Sequence, residues 1–321
     1  MLVTQSWSVE HNNLITKDVL MLKFIFSLLV FVSISLNAQQ LGDNNFKPKN
    51  TTSTFSKTES PLVLLDEAHH NFHTMDGRYQ PFVKILQSDG YLVKKNKALF
   101  SKESLAHADI LVISNALSAK NVKHWSLPNY SAFSREEIEA VYHWVKDGGS
   151  LFLIADHMPF PKAAEGMAAI FGFQFNNGYV EDLNNKEQMF EQSRGTLAAH
   201  PILIGTGSKE EIKAVKAFTG QAFLSPPNAK PLLVFADSAI SLMPKKSWKF
   251  PQGTPEISVN GWHQGATLEF HQGRVVIFGE AAMFTAQMSG KAKRKMGVIA
   301  DGAEQNEQFL LNIMLWLAGK I

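Results

Sequence analysis

Residues 62–73 read LVLLDEAHHNFH, and they place two acids and three histidines directly after a run of aliphatic side chains. The titratable residues in this segment are Asp66, Glu67, His69, His70 and His73. Carboxylates and imidazoles are the side chains that bind divalent metals or carry protons in many enzymes. His69 and His73 are four residues apart, so they share one face if the segment turns helically, as paired metal ligands do. The segment therefore predicts a metal site or an acid–base site at the end of a buried strand.

Three other apolar runs also end in polar residues. Ser114 and Asn115 follow the run 110–113, Asp156 and His157 follow the run 150–155, and Glu280 follows the run 274–279. Parallel strands end at one edge of their sheet, and ligands bind outside that edge. We therefore expect His73, Asp156 and Glu280 to bring their side chains to one pocket.

We assign predicted catalytic, metal-binding and ligand-binding roles to these residues according to their side-chain type. The predicted catalytic acids and bases are Glu67, Asp156 and Glu280, and the predicted ligands of a divalent metal such as zinc are Asp66, His69, His73 and His157. The predicted ligand-binding residues are His70, Asn115, Gln221 and Phe284, with Trp125 and Trp262 as further candidates for the pocket wall. The alternative is that each residue caps a loop, which is the commoner role of a single polar residue at a strand end.

Alternating apolar runs and amphipathic segments position these residues. The predicted strands are 61–66, 108–116, 150–156, 230–237 and a hairpin of 266–270 with 274–280, and the predicted helices are 78–90, 161–172, 307–319 and one that begins with a Ser134–Glu137 capping box and ends at Asp147–Gly149. Buried strands that alternate with helices are typical of a parallel sheet covered on both faces. We therefore predict an α/β fold, a doubly wound and mostly parallel sheet with helices on both faces.

The N-terminal region has the pattern of an export signal. Lys23 precedes the apolar stretch 24–36, and Leu36-Asn37-Ala38 is a plausible cleavage site, so residues 1–38 are predicted to be an upstream leader plus signal peptide. Residues 39–60 are rich in Asn, Ser, Thr and Lys and are predicted to be a linker, which leaves 61–321 as the α/β domain. The mature protein is expected to be periplasmic or secreted, with no membrane span once the signal is cleaved.

Composition excludes several classes of function. The formal net charge is only +2 over 321 residues, so nucleic acid is not the expected partner. The chain contains no cysteine, which excludes a cysteine nucleophile and a thiolate metal site, and no G-x-S-x-G elbow of a serine hydrolase is present. The expected partner is a small molecule, or a glycan or peptide ligand.

Four segments carry a resemblance to a known family. The segments DEAHHNFHTMDGRY, GGSLFLIADHMPFP, AHPILIG and GRVVIFGEAAMFTAQ resemble an uncharacterised bacterial group with a class I glutamine amidotransferase-like domain, over about residues 61–319. The resemblance implies a flavodoxin-like sheet and no established activity. Glutaminases of that fold use a cysteine after a central strand, where this chain has Asp156-His157-Met158-Pro159, so glutamine hydrolysis by that route is excluded.

Two hypotheses for function remain. The first is a metal-dependent hydrolase, in which some of Asp66, His69, His73, Asp156, His157 and Glu280 bind the metal and a carboxylate activates a bound water. The second is a non-catalytic binding domain that holds a glycan or peptide by hydrogen bonds and aromatic stacking. The cost of burying so many polar groups favours chemistry over binding by a small margin.

Overall fold

The structure is a computed structural model, and it describes residues 40–321 except Lys186 and Lys291. The predicted leader and signal peptide, residues 1–38, lie outside the described residues. No helix among the described residues is long and apolar enough to cross a membrane.

The described residues form strands and helices that we number in chain order. The strands are β1 (Gln40–Gly42), β2 (Leu62–Asp66), β3 (Leu92–Asn96), β4 (Ile110–Ser114), β5 (Ser150–Ile154), β6 (Gln174–Phe175), β7 (Tyr179–Asp182), β8 (Gln188–Glu191), β9 (Ala214–Ala217), β10 (Phe223–Leu224), β11 (Lys230–Val234), β12 (Ala239–Leu242), β13 (Glu256–Ser258), β14 (His263–Phe270), β15 (Gly273–Phe278), β16 (Ala286–Ser289) and β17 (Arg294–Gly297). The α-helices are α1 (Gln80–Ser88), α2 (Lys102–Leu105), α3 (Arg135–Lys146), α4 (Phe160–Ala169), α5 (Pro201–Ile204) and α6 (Asn306–Leu317). Short 3₁₀ turns cover Ala119–Asn121, Gln192–Arg194 and Ala282–Phe284.

The central sheet is mixed. Its strand order is β3-β2-β4-β5-β15-β14-β10-β6, and β11 also pairs with β14. The first five strands pair in parallel, whereas every pairing that involves β14 or β10 is antiparallel. The three smaller sheets are antiparallel throughout. The predicted doubly wound, mostly parallel sheet is therefore wrong, because hairpins and small sheets fill much of the chain after residue 173.

The parallel part of the sheet is buried on both faces. All five residues of β4 and all five of β5 are buried, which explains their continuous aliphatic sequences. Phe152 and Ile154 join one hydrophobic cluster together with α1 and α6, and Leu151 and Leu153 join a second cluster together with α3 and α4. Successive side chains of β5 thus enter opposite layers, and the helices cover both faces of this half of the sheet.

Part of the predicted linker packs on the domain. β1 pairs with β16, and Phe46 and Phe55 are buried in the first hydrophobic cluster. Asp89 accepts hydrogen bonds from Thr54 and Asn50, and buried Glu307 accepts them from the backbone N–H groups of Lys49 and Asn50. Residues in the segment 40–60 therefore use their polar side chains and backbone N–H groups to bond the carboxylates of Asp89 and Glu307.

Candidate functional site

The polar residues of the sequence analysis lie at the carboxyl ends of four adjacent parallel strands. β2, β4, β5 and β15 are neighbours in that order, so Asp66, Ser114, Asp156 and Glu280 follow them along one edge. We call the side chains there the carboxyl-edge site, which comprises His73, Ser114, Asp156, His157 and Glu280 with the aromatic residues around them. The hydrogen bonds of each side chain determine which of its atoms remain available to a ligand.

Asp66 and His69 form a buried ionic cluster with Glu137. The His69 Nδ1–H donates to both carboxylate oxygens of Asp66 at 3.0 and 2.9 Å, and its Nε2–H donates to Glu137 Oε1 at 2.7 Å. Two acceptors on the two ring nitrogens require the doubly protonated imidazolium. Burial opposes that charge, but the hydrogen bonds and charges of both carboxylates outweigh it and raise the pKa of His69. His69 and Asp66 are therefore occupied with each other.

Glu137 connects this ionic cluster to helix α3. Its Oε2 accepts the backbone N–H of Ser134 in the predicted capping box, and its Oε1 also accepts the N–H of Phe100. Burial alone would raise the pKa of Glu137, but these N–H groups and His69 lower it overall. The rings of Phe100 and Phe133 pack at 4.7 and 4.6 Å from the imidazole of His69. The cluster joins the end of β2 to the start of α3.

The segment after β2 is a loop, so the predicted helical face shared by His69 and His73 does not form. His70 is exposed with a positive φ of 48°. Glu67 is half-buried and accepts the backbone N–H of Met75 at 2.8 Å. The loop thus turns successive side chains in different directions, and the three histidines have three different environments.

His73 lies in the interior of the carboxyl-edge site. Its Nδ1 shares a hydrogen bond of 3.0 Å with the Oγ of Ser114, and its ring stacks on Tyr79 at 4.3 Å. Burial, and then the positive charge of Arg78, hold the pKa of His73 well below its usual range, so it is neutral. A serine beside a neutral histidine is the arrangement of an activated nucleophile. Ser114 is completely buried, however, so no substrate reaches its hydroxyl.

Asp156 and Glu280 approach each other from neighbouring strands. Burial and then the charge of Asp156 raise the pKa of Glu280 well above its usual value. Both oxygens of Glu280 accept backbone N–H groups, from Ala282 at 2.9 Å and from Met283 at 2.7 Å, so this predicted catalytic acid caps the 3₁₀ turn. Asp156 Oδ1 accepts the N–H of His157, and the Asp156 N–H donates to the side chain of Asn115. The side-chain oxygen of Asn115 thus supports the backbone at Asp156.

His157 lies in a cage of aromatic rings. Its ring stacks on Tyr179 at 4.6 Å with an interplanar angle of 14°, and the edge of Trp248 packs on it at 4.6 Å. Its Nδ1–H donates to the carbonyl of Met158 at 2.8 Å, which leaves Nε2 as an acceptor. Trp125 and Phe160 complete the cage at 6.5 and 5.8 Å. The cage fixes both the tautomer and the orientation of the imidazole.

Two predicted ligand contacts lie in the interior instead. Gln221 is completely buried, donates to the carbonyl of Ala155 and accepts the N–H of Asn176. Phe284 is completely buried among Phe152, Phe278 and Phe309. Trp262, a candidate for the pocket wall, packs against the first hydrophobic cluster. Gln221, Phe284 and Trp262 are residue types that often line pockets. Here they pack in or against the core, next to apolar residues in the sequence.

The predicted metal ligands do not converge. Among residues 40–321 apart from the two gaps, no three His, Asp or Glu side chains have the mutual geometry of a metal site. Asp66 and His69 are bound to each other and to Glu137, whereas His73 and His157 are held by Ser114 and Met158. The four side chains are therefore fixed by protein partners in two separate places.

Three polar atoms of the carboxyl-edge site have no hydrogen-bond partner among the described residues, namely Asp156 Oδ2, His157 Nε2 and His73 Nε2, and none of them belongs to the fully buried side-chain atoms that lack a partner. Asp156 and His157 are each 8% exposed and His73 is 2% exposed. Polar atoms that have no protein partner are free to bond water or a ligand.

Sequence reasoning missed several members of this site. Trp248 is 49% exposed with a positive φ of 60°, and its backbone N–H donates to the hydroxyl of Tyr179 at 3.2 Å. The Tyr179 hydroxyl also bonds Ser247, whose Oγ donates to the carbonyl of Met158 at 3.1 Å. These residues lie in loops and in a short strand without apolar periodicity, so only the folded chain brings them beside His157.

Comparison with known proteins supports the fold and corrects the family prediction. No family model matches the chain, and no curated protein matches it in sequence. The mmIFT52 N-terminal domain is 14% identical, with a TM-score of 0.57 over 80% of this chain and 97% of that chain. A cytoplasmic protein of Salmonella typhimurium, STM3548, is 12% identical over 80% of this chain and 98% of that chain, with a TM-score of 0.47.

A ThuA-like protein from Bacteroides uniformis is 11% identical, with a TM-score of 0.42 over 83% of this chain and 94% of that chain. These likenesses concern the fold alone. The predicted membership of the uncharacterised bacterial family with a class I glutamine amidotransferase-like domain is therefore wrong, since no family model matches and the sheet is mixed.

Proposed function

We propose that the domain binds a glycan at the carboxyl-edge site without transforming it. The observation that carries this proposal is the set of three polar atoms without a protein partner, on Asp156, His157 and His73, together with the exposed Trp248 that packs on His157. Binding sites for small polar ligands combine a few such oriented polar groups with aromatic walls. The function of the site follows from this combination rather than from any one residue.

The chemistry of the available atoms favours a sugar. The carboxylate of Asp156 and the Nε2 of His157 accept hydrogen bonds from hydroxyl groups. The face of an indole ring is apolar, and it packs well against the C–H face of a sugar ring. Trp248 and Phe250 are both large exposed aromatics, and both pack on Tyr179. The site therefore offers stacking and hydrogen bonding side by side.

The same geometry does not support a hydrolase. Asp66 and His69 are bonded to each other and His69 to Glu137, Ser114 is shielded from solvent, and both oxygens of Glu280 are bonded to backbone. A catalytic acid or base must be able to reach the atom that it protonates. Binding requires only the surface groups that remain free. We further propose that binding takes place outside the cytoplasm, because residues 21–38 have the pattern of a signal peptide.

The experiment is a tryptophan fluorescence titration of the full chain with cellohexaose, chitohexaose, xylohexaose and mannohexaose, and with hexaalanine as the peptide probe. We expect saturable quenching by at least one saccharide and none by hexaalanine. Trp248→Ala should weaken that saccharide's affinity by about tenfold or more, which corresponds to about 1.4 kcal/mol. Ile204→Ala, which truncates another exposed apolar residue, should leave affinity unchanged. Quenching by hexaalanine alone, or equal affinity in Trp248→Ala, would overturn the proposal.

A further inference from the structure

The strand β17 forms one edge of the sheet β1-β16-β17, and its outer side has no partner strand among the described residues. Val298 N–H donates to the carbonyl of Thr285, and Asp43 N–H donates to the carbonyl of Ala286. In an antiparallel ladder, residues whose backbone N–H and C=O groups bond to the partner strand alternate with residues whose N–H and C=O groups point away from that strand. With the register Lys295 to Met288, the peptide groups of Lys295 therefore face outward, whereas Gly297 is buried with a positive φ of 74° and does not extend this edge.

The outward peptide groups are available for pairing. Among the described residues, nothing accepts from the N–H of Lys295 and nothing donates to its carbonyl, whereas the carbonyl of the buried Gly297 accepts the N–H of Ala300. Such an edge is a template for an added strand. These two unpaired groups can form the pair of hydrogen bonds that one residue of an added antiparallel strand makes.

The side chains of this edge are positively charged on both faces. Arg294 and Lys295 point to opposite faces of the strand, both are exposed, and Lys293 precedes them in the turn. None of the three has an acid within salt-bridge distance among the described residues. A strand added here meets a cation on each face, so acidic side chains on either face of that strand are favoured. A second copy of the same strand is repelled.

A groove beside the edge is lined by both charged and apolar residues. It has a volume of about 390 Å³ and is lined by Lys295 and by Phe46, Val298 and Ile299. Its charged lining residues balance, with Lys47, Lys49 and Lys295 against Asp43, Asp301 and Glu304, that is, +3 and −3. The groove therefore adds no net charge, and the selectivity for charge comes from the strand edge.

We propose that the edge of β17 binds an extended acidic peptide segment of a partner protein by strand addition. The peptide pairs with the outward N–H and carbonyl of Lys295, and its acidic side chains lie beside Arg294 and Lys295. This surface is independent of the carboxyl-edge site, since it uses none of the same residues.

The probe is a fluorescein-labelled peptide of five Glu-Val repeats, measured by fluorescence polarisation with the full chain. We expect saturable binding that weakens with added salt, and no binding of the Lys-Val counterpart. Lys295→Pro removes the outward N–H without removing a bond to β16, and it should weaken binding at least tenfold. Lys209→Gln, at an exposed lysine elsewhere, should have no effect.

A Glu-Val peptide methylated on alternate backbone nitrogens provides a second test that needs no variant, because it cannot form the ladder and should not bind. Three results would overturn the proposal: no binding of the Glu-Val peptide, equal binding of the methylated peptide, or equal binding by a folded Lys295→Pro chain. Binding of phosphatidylglycerol vesicles in place of the Glu-Val peptide would identify a membrane surface instead and would also overturn it.

Discussion

Replacing His69 with alanine should be among the most destabilising single changes in the domain. The substitution leaves Asp66 and Glu137, which are 0% and 6% exposed, without the cation that bridges them. Removal of one partner of a buried ion pair costs about 3–5 kcal/mol, because the remaining charge stays buried. The loss of packing against Phe100 and Phe133 adds to this cost. We therefore expect a loss of at least about 3 kcal/mol in the free energy of unfolding at pH 6.

The pH dependence of this loss distinguishes an ionic role from a purely steric one. The folded-state pKa of His69 is raised above 6.5, so its contribution is fully present below pH 6.5 and is lost as the pH rises through the folded value. The folded-state pKa of Glu137 is lowered below 4.5, so its contribution is present above pH 4.5 and is lost as the pH falls through the folded value. The difference between the two proteins should therefore be largest between pH 4.5 and 6.5.

Urea denaturation followed by circular dichroism, at several pH values, measures this difference. His143→Ala is the matched control, because His143 is exposed on the same helix as Glu137 and its loss should change stability by about 0.5 kcal/mol or less. A loss below about 1 kcal/mol in His69→Ala, or a loss that does not vary with pH, would refute the ionic cluster.

Three further predictions concern the core, the metal and export. Phe284→Ala should lower the free energy of unfolding by about 3–5 kcal/mol in urea, because Phe284 is completely buried, and a loss below about 1 kcal/mol would place the ring elsewhere. Dialysis against EDTA should leave the thermal midpoint unchanged, because the described residues contain no convergent set of metal ligands, and a fall of several degrees that zinc reverses would contradict this. Intact mass of the protein from its native host should show a mature chain that begins at or near Gln39, and a full-length cytoplasmic species would disprove export.

The local elements of the parallel half could be predicted from the sequence. The aliphatic runs at 61–66, 108–116 and 150–156 coincide with β2, β4 and β5, and the capping box at Ser134 begins α3. These signals are local, since they depend on continuous burial or on hydrogen bonds within one turn. The same is true of the hairpin of β14 and β15, whose apolar runs flank a short polar turn.

The direction of strand pairing in the second half could not be predicted in this way. β6, β10 and β13 have two or three residues each, too few for a periodic pattern, and they pair across long stretches of chain. β14 pairs with β15, β10 and β11, all of them antiparallel, and this turns the sheet from parallel to mixed. The prediction of a mostly parallel sheet is wrong because it applied the parallel pairing of β2 to β5 to the later strands as well.

The site shows the same division between local and distant information. The position of Asp156 and Glu280 at one edge follows from the order of parallel strands, and that much was visible in the sequence. The bonds that occupy Glu280 and His69 come from the turn at Ala282 and from Glu137, which is 68 residues after His69. Residue type therefore indicated where polar chemistry lies, whereas hydrogen-bond partners decided which atoms remain free.

The central claim, that the free atoms at the carboxyl edge bind a glycan, is tested most directly by Asp156→Asn. The change removes the charge of Asp156 and halves its accepting capacity while it keeps the shape of the side chain. The matched control is Asp147→Asn, at an exposed aspartate that precedes β5 at the opposite end of the strand. Isothermal titration of both variants with the saccharide identified by fluorescence should show affinity at least tenfold weaker for Asp156→Asn, with an unchanged thermal midpoint, and wild-type affinity for Asp147→Asn. Equal affinity in the two variants would contradict the account.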